Sequence, residues 1–207
     1  MVHQVGSAEL ANLEHLELWL GSDEYGGNTS VDDLTAFLRG DRFPRLRELV
    51  VQAGGLPRGV VHEVGSADLP ALEHLELWLG TPEYEGDATV EDLAPLLGGE
   101  RFPRLRYLGL RNSMITDDIA AVVALAPVTA RLDVLDLSMG TLGDAGAQAL
   151  LNAPGVRKLK KLDVEHHYCS PEVVERLKGL GIEVNADDPQ EADEWDGQPH
   201  RYVQVSE

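Results

Sequence analysis

Leucine recurs along the chain in a pattern that alternates apolar and polar positions. Six stretches fit the form LxxLxLxx, with valine in place of the third leucine in the second and sixth, and they begin at Leu13, Leu46, Leu72, Leu105, Leu132 and Leu159. Alternation over a few residues is typical of a strand that is buried on one face. Each xLxL portion therefore predicts a short parallel strand, with leucines pointing into a core and the intervening residues facing outward.

The six stretches belong to a larger duplication. Residues 5–52 align without a gap on residues 64–111, and 29 of the 48 positions are identical. The stretch LEHLELWLG occurs unchanged at residues 13–21 and 72–80. Successive stretches start 33, 26, 33, 27 and 27 residues apart, so the 59-residue duplication is a pair of units. Repetition at such periods indicates a repeat architecture whose units are stable only when they stack on one another.

Helices are predicted between the strands. Residues 30–33 (SVDD) and 89–92 (TVED) resemble capping boxes, and each is followed by apolar residues at helical spacing. Ser170 and Pro171 provide a cap hydroxyl and a proline at the first helical position. Two further helices are predicted over residues 117–126 and 144–151. Strands and helices that alternate in this way predict an α/β fold with a parallel sheet.

One unit carries a family resemblance. Residues 132–154, LDVLDLSMGTLGDAGAQALLNAP, resemble the ribonuclease-inhibitor-like class of leucine-rich repeat, and residues 143–150 match the helix start of that class. The run from Leu72 to Leu162 and the closing RYVQVSE are similar to uncharacterised bacterial leucine-rich-repeat proteins. This resemblance implies a curved solenoid of about six repeats, with the sheet on the concave face and helices on the convex face. It also implies protein binding, and it brings no catalytic residue.

The chain departs from that class at the turn after each strand. The usual ladder asparagine is replaced by Gly21, Gly54, Gly80, Ser113, Gly140 and His167. Glycine at such a position would allow a tighter turn.

Residues 1–184 are predicted to form the repeat domain. Residues 2–21 align with residues 61–80, so the domain is expected to begin in mid-repeat, with its first strand as an open edge. Residues 185–199 are acidic and aperiodic, which predicts a solvated linker. Residues 200–207 form a tail that alternates like a short strand.

Aligning the repeats places the outward-facing residues in three columns. The middle column contains Glu17, Val50, Glu76, Gly109, Asp136 and Asp163, with Glu183 expected there on a seventh, irregular strand. The preceding column contains His15, Glu48, His74, Tyr107, Val134 and Lys161, and the following column contains Trp19, Gln52, Trp78, Arg111, Ser138 and Glu165. Strands lie ~4.8 Å apart, so the duplicated residues should lie on the order of 10 Å from each other.

These columns predict a surface that binds a protein or peptide. Trp19, Trp78 and Tyr107 are the candidate anchors, because interfaces are enriched in aromatic residues. Glu17, Glu76, Asp136 and Asp163 form a candidate acidic stripe that favours a basic partner, and His15, His74 and Arg111 flank it. The alternatives are that the tryptophans merely cover neighbouring side chains or reflect recent duplication, and that the carboxylates form an ordinary solvated face.

Charge and composition exclude several other classes. The net charge of −19 disfavours nucleic acid and anionic lipid as partners. No apolar run approaches the ~18 residues that span a bilayer, and residues 1–10 lack the pattern of a signal peptide, so a cytoplasmic location is expected. Residues 166–169 (HHYC) are predicted to diverge in space, which disfavours a metal site. No catalytic constellation or cofactor motif stands out, so we expect a non-catalytic module. The alternative function is a structural unit that associates through the first strand.

Overall fold

Seven parallel strands form the main sheet of the protein. A computed structural model describes residues 10–21, Leu34, Leu38 and residues 42–205. Within that part of the chain the strands are β1 (His15–Trp19), β2 (Glu48–Gln52), β3 (His74–Gly80), β4 (Tyr107–Ser113), β5 (Val134–Asp136), β6 (Lys161–Asp163) and β7 (Glu183–Asn185). They follow one another in sequence order across the sheet. The predicted α/β fold with a parallel sheet is therefore confirmed.

The leucine pattern sets the register of this sheet. Leu16 pairs with Leu49, which pairs with Leu75, and the row continues through Leu108 and Leu135. A shift of one residue would turn every leucine to the opposite face, so the burial of this row fixes the pairing.

Five helices among the described residues cross between the strands. They are α1 (Arg58–Ser66), α2 (Ala94–Leu97), α3 (Thr116–Leu125), α4 (Asp144–Asn152) and α5 (Pro171–Lys178). The helices α3, α4 and α5 lie within one or two residues of their predicted starts. The helix α1 was not predicted, because its valines lie between two glycines, Gly59 and Gly65, and follow a proline. Most of the helix expected after residues 30–33 lies outside the described residues, among which Leu34 and Leu38 are both helical and buried.

The helix α2 is shorter than its sequence predicts. The Thr89 backbone N–H and hydroxyl both donate to the Asp92 carboxylate, at 2.9 Å. The bond from the Thr89 backbone N–H to the acidic side chain three residues later is one of the two hydrogen bonds of a capping box. Residues 90–93 form turns, and the helix begins only at Ala94.

One hydrophobic core lies between the sheet and the helices. Leu75, Leu108, Leu135 and Leu162 are fully buried on the sheet side, and Ile119 of α3 is fully buried on the helix side. At ~1.5 to 3 kcal/mol for each buried leucine or isoleucine, contacts between neighbouring units supply most of the stabilisation. The strand β1 has a described neighbour on one side only, and its Leu16 and Leu18 are only partly buried.

A tight turn follows β3 at one of the glycines that replace the ladder asparagine. Gly80 has a φ of +70° and packs against the carbonyl oxygen of Gly54. The Thr81 backbone N–H donates to that same oxygen at 2.8 Å. A Cβ atom on Gly80 would overlap this carbonyl, so both the backbone angle and the packing require glycine.

The segment after β7 differs from the predicted linker. Glu183–Asn185 is the seventh strand, Ala186 is buried, and the backbone forms a bridge between His167 and Pro189. Further on, β8 (Asp193–Trp195) and β9 (Gln198–His200) pair as an antiparallel hairpin. Residues 191–200 are all exposed. The acidic composition correctly indicated exposure, but it hid a hairpin whose turn is formed by Asp196 and Gly197, both with positive φ.

The tail is not a strand but a strap across the end of the sheet. Residues 201–205 have no strand pairing. The Gln204 backbone N–H donates to Met139 O at 2.9 Å, and the Asn112 side chain exchanges two hydrogen bonds with the Val205 backbone. Residues 201–205 are therefore held by hydrogen bonds to a turn and to a side chain, instead of by the strand pairing that the alternating sequence predicted. Across the described residues, no helix is both long and apolar enough to cross a membrane.

Candidate functional site

The three predicted columns occupy one face of the sheet, which we call the polar face. Alternate residues of a strand point to opposite faces, so these side chains lie opposite the leucine core. His15, Glu48, His74 and Tyr107 are paired across β1 to β4, and Trp78 pairs with Arg111. The predicted alignment was wrong at β7. Glu183 pairs with Lys161 in the first column, and Asn185 takes the expected middle position beside Asp163.

The two duplicated tryptophans lie together on the polar face. The ring centroids of Trp19 and Trp78 are 6.4 Å apart, with an angle of 56° between the rings. Trp19 is 63% exposed, whereas Trp78 is partly buried. The Arg111 guanidinium lies 5.3 Å from the centre of the Trp78 ring. The predicted aromatic pair is therefore present, with Trp19 as its exposed member.

Beside this pair, Glu76 is the centre of a hydrogen-bond network. The Trp78 indole N–H donates to Glu76 Oε1 at 2.5 Å, and Arg111 Nη1 donates to the same oxygen at 2.8 Å. His74 Nε2 lies 3.7 Å from Glu76 Oε2. Burial alone would raise the pKa of Glu76, but the nearby His74 ring, the hydrogen bonds from Trp78 and Arg111 and the charge of Arg111 outweigh it and lower the pKa to about 2. Glu76 is therefore a carboxylate at neutral pH.

Tyr107 connects Glu76 to Asp136. Its ring stacks on His74 with centroids 3.8 Å apart, and its hydroxyl donates to Asp136 Oδ2 at 2.6 Å. Burial and the neighbouring Asp136 carboxylate raise the pKa of Tyr107 far above its usual value. Arg111 completes the network, with Nε 3.5 Å from Asp136 Oδ2. Tyr107 thus holds other residues of the face in place, and its ring is covered rather than presented to solvent.

The expected acidic stripe is mostly neutralised within the protein. Glu76 and Asp136 are 7% and 5% exposed and share Arg111. Asp163 is also buried, and it accepts from Asn185 Nδ2 and lies 2.9 Å from Lys161 Nζ. Only Glu17 among the four is exposed, and its carboxylate accepts from Gln52 at 2.8 Å. Composition showed the acids but not their partners: Gln52, Arg111 and Asn185 lie on neighbouring strands, whereas Lys161 lies on β6 with Asp163 itself.

The flanking histidine His15 makes a separate pair. Its Nδ1 lies 2.7 Å from Glu48 Oε2 on the adjacent strand, and its side chain is 68% exposed. His15 and His74 occupy equivalent duplicated positions, yet one forms an exposed pair and the other stacks on Tyr107.

The HHYC segment diverges as its sequence predicts. His166 Nδ1 lies 3.1 Å from Asp188 Oδ2, while His167 is fully buried with Nε2 3.2 Å from Ala186 O. The backbone N–H of Cys169 donates to His167 Nδ1. Burial raises the pKa of the Cys169 thiol to about 12, so it is uncharged at neutral pH. In the part of the chain that the structure describes, no group of three or more histidine, cysteine or acidic side chains is arranged to hold a metal ion.

Comparisons with known proteins support the fold. No family model matches the chain, and no curated protein matches it. The chain is similar to a crystal structure of a Bacteroides fragilis protein that was a Northeast Structural Genomics Consortium target, with a TM-score of 0.67 and 31% identity. The match covers 71% of this chain and 42% of that chain, so this chain matches less than half of the solved protein.

Proposed function

We propose that this protein is a cytoplasmic, non-catalytic interaction module built as a leucine-rich-repeat solenoid, and that it binds a protein or peptide through the polar face. The exposure of Trp19 beside Trp78 carries this proposal. Trp19 is a large exposed aromatic side chain on a face whose polar groups are already hydrogen-bonded. This arrangement resembles a binding hot spot, in which an aromatic anchor is surrounded by contacts that add little to the affinity. The six LxxLxLxx units support the repeat architecture.

The network around Glu76 favours binding because it holds the surface in one arrangement. Trp78 is fixed by its hydrogen bond to Glu76 and by the Arg111 guanidinium over its ring. A partner that packs on Trp19 and Trp78 would therefore lose little side-chain entropy from this side of the interface. In a typical complex, less than a third of the interface residues account for most of the affinity. A single tryptophan pair can therefore supply much of the binding free energy of an interface.

The partner that fits this surface presents an apolar or cationic side chain. The two tilted indole rings offer π faces, and the exposed Glu17 carboxylate lies in the adjacent column. A lysine or arginine at such a site gains ~0.5 to 2 kcal/mol from a cation–π contact, in addition to its attraction to Glu17. The buried Glu76, Asp136 and Asp163 contribute little to attraction at a distance, since each already has a partner.

Substitution of the two tryptophans tests this proposal. Wild-type protein, the Trp19→Ala/Trp78→Ala variant and a Trp195→Ala control would each be immobilised and exposed to lysate of the native host, with bound proteins quantified by mass spectrometry. Trp195 is 73% exposed and lies in the β8–β9 hairpin rather than in the main sheet, so its removal matches the loss of an exposed indole, and captured copies of this chain itself are left out of the count. Partners that bind the wild type and the control but bind the double variant at least tenfold less would support the proposal. Equal capture by all three proteins would contradict it.

A second candidate function is assembly through β1. The observation that favours it is the partial exposure of Leu16 and Leu18, together with the absence of any described strand on the outer side of β1. An open strand edge with partly exposed leucines is a template for pairing with another chain. A Leu16→Lys/Leu18→Lys variant would remain monomeric if the wild type associates through this edge. A wild type that sediments as a monomer at high concentration would rule the candidate out.

A further inference from the structure

The cations of this acidic protein are concentrated at one edge of the sheet. In a parallel sheet every chain segment that enters a strand lies at the same edge. We call the six segments 10–14, 42–47, 68–73, 100–106, 127–133 and 156–160 the amino edge. Ten of the 17 lysines and arginines lie there: Arg42, Arg45, Arg47, Arg101, Arg104, Arg106, Arg131, Arg157, Lys158 and Lys160. The same segments contain five acids, Glu14, Asp68, Glu73, Glu100 and Asp133.

The amino edge is therefore positive while the molecule is negative. Its formal charge is 10 minus 5, or +5, whereas the whole chain has a net charge of −19. The remainder of the molecule must carry −24, which is −19 minus 5. A separation of this size orients an approaching charged partner and directs an acidic group to the amino edge.

Part of this charge is already paired. The residue immediately before each strand alternates in sign from Glu14 to Arg47, Glu73, Arg106, Asp133 and Lys160. The Arg47 guanidinium lies 2.8 Å from Glu73, and Lys160 lies 3.1 Å from Asp133. Those groups hold the edge together.

Other cations of the amino edge have no such partner. Within the described residues, no ion pair involves Arg45, Arg101, Arg104, Arg157 or Lys158, and all five are exposed. A cleft of about 280 Å³ lies between Arg45 and Arg104, and its lining also includes Arg47, the carboxylates of Glu14 and Glu73, Pro44 and Ala71. Arg45 and Arg104 precede strands that are two apart in the sheet, on the order of 10 Å. The cleft thus contains three guanidinium groups and two carboxylates around a small apolar floor, and among the described residues Arg45 and Arg104 are the two of these guanidinium groups that form no ion pair.

The complementary charge lies at the opposite edge of the same molecule. Residues 187–196, DDPQEADEWD, contain six acids and no lysine or arginine. Contacts between His166 and Asp188 and between His167 and Pro189 fix this acidic segment near the carboxyl ends of β6 and β7. Trp195 within it is 73% exposed. Strands of three to seven residues separate the two edges by up to ~23 Å, so the acidic segment does not reach the amino edge of its own sheet.

We propose that the amino edge binds the acidic segment of a second copy of this chain, in a head-to-tail arrangement. The unpaired arginines around the cleft face the carboxylates of residues 187–196, and the exposed Trp195 ring packs against a guanidinium. Such a contact uses different surfaces on the two copies, so it extends into chains rather than closing as a symmetric dimer. It uses neither Trp19 nor the outer side of β1, and is independent of the function proposed above.

Peptide binding tests the two surfaces without the repulsion between two highly charged proteins. A fluorescein-labelled synthetic peptide of residues 185–200 would be titrated with full-length protein in 50 mM salt, and polarisation would be measured. We expect saturable binding that weakens at least tenfold in 300 mM salt. The Arg45→Glu/Arg104→Glu variant should bind at least tenfold more weakly. The control Arg58→Glu reverses an exposed cation at the start of α1, outside the amino edge, and should bind within about threefold of wild type after its extra negative charge is taken into account.

A charge-exchange experiment tests the second copy itself. Sedimentation velocity would compare the wild type, the Arg45→Glu/Arg104→Glu variant, a Glu191→Lys/Glu194→Lys variant and an equimolar mixture of the two variants. We expect the wild type and the mixture to associate as concentration rises and each variant alone to sediment as a monomer. Absence of peptide binding, or equal binding to the arginine variant, would overturn the proposal. Peptide binding without association of full-length copies would also overturn it, because the amino edge would then serve an acidic segment of another protein.

Discussion

Identical residues have different environments in the two copies of LEHLELWLG. Glu17 is exposed and accepts one hydrogen bond from Gln52, whereas Glu76 is buried and is contacted by His74, Trp78 and Arg111. The difference arises because β1 has one described neighbouring strand and β3 has two. The neighbour β4 brings Tyr107 and Arg111, which have no counterparts of the same type beside β1. Sequence identity between the copies therefore does not give identical chemistry.

The pH dependence of stability should reveal the burial of Glu76. Its folded-state pKa of about 2 lies below the ordinary value of 4.5, so its contribution is complete above pH 4.5 and is lost as pH falls towards 2. Between pH 6 and pH 3 this amounts to roughly 2 kcal/mol of unfolding free energy, at 1.36 kcal/mol for each pH unit of difference in pKa. Urea unfolding of the wild type and of Glu76→Gln at several pH values measures it.

The matched variant is Glu17→Gln, which makes the same change at the exposed copy of the same residue. We expect the stability of Glu76→Gln to fall less with acid than that of the wild type, while Glu17→Gln follows the wild type. Parallel curves for the wild type and Glu76→Gln would show that the network does not hold the carboxylate in its ionised form.

At the scale of elements, the strands were predictable and two other elements, a helix and a hairpin, were not. The first two leucines recur in all six LxxLxLxx units and the third position is leucine or valine, and burying these side chains requires the observed register. The helix α1 contains Gly59 and Gly65 and lacks a capping side chain, so its sequence carries a weak helical signal. Gly65 instead lies in a close contact between helices, since a Cβ there would lie 3.3 Å from the backbone nitrogen of Leu96. The hairpin β8–β9 has no alternation of apolar and polar residues, and its charged residues are typical of a disordered linker.

Two glycines with similar backbone angles allow the free-energy cost of a steric overlap to be measured apart from the cost of a left-handed backbone angle. Gly80 has a φ of +70° and contacts the Gly54 carbonyl, while Gly181 has a φ of +82°, and a methyl group added there would have no atom within 4 Å. We expect Gly181→Ala to lower the unfolding free energy by ~1 to 2 kcal/mol, the cost of a left-handed angle. Gly80→Ala adds a steric overlap with backbone and should lose several kcal/mol more. Chemical denaturation of both variants measures the difference, and equal losses would contradict the close approach of the two turns.

At the scale of the whole molecule, the strap 201–205 joins residues that are far apart in sequence. Arg201 lies 3.0 Å from Asp117 at the start of α3, and Val205 meets Asn112 at the end of β4. Asn112 is fully buried with a φ of +54°, an angle that asparagine tolerates better than most residues. The two residues of these pairs are 84 and 93 positions apart in sequence, so no local sequence pattern predicts the contacts. The columns of the polar face were predictable because the same short strand pattern recurs in every unit. The contacts of the strap occur once and belong to no repeated pattern.

The strap should stabilise the carboxyl edge of the sheet through Arg201. This side chain lies against Gly143, is 5.6 Å from the centre of the Tyr168 ring, and donates to Thr141 O at 3.1 Å. Arg201→Ala should therefore lower the unfolding free energy by about 1 to 2 kcal/mol, because it removes a partly exposed ion pair together with these contacts. It should also speed hydrogen exchange at the amides of residues 139–144 and 202–205, measured by mass spectrometry, because these amides lose the side chain that holds the two segments together.

Arg176→Ala on the exposed face of α5 is the matched control, and it should change neither the stability nor the exchange by a measurable amount. If Arg201→Ala lowers stability but leaves exchange in both segments unchanged, the strap does not couple them and acts only through its own contacts. If exchange rises in the strap alone, the edge of the sheet is stable without it. Only a rise in both segments, with the rest of the chain protected as before, is the result expected of a strap that closes this edge of the molecule.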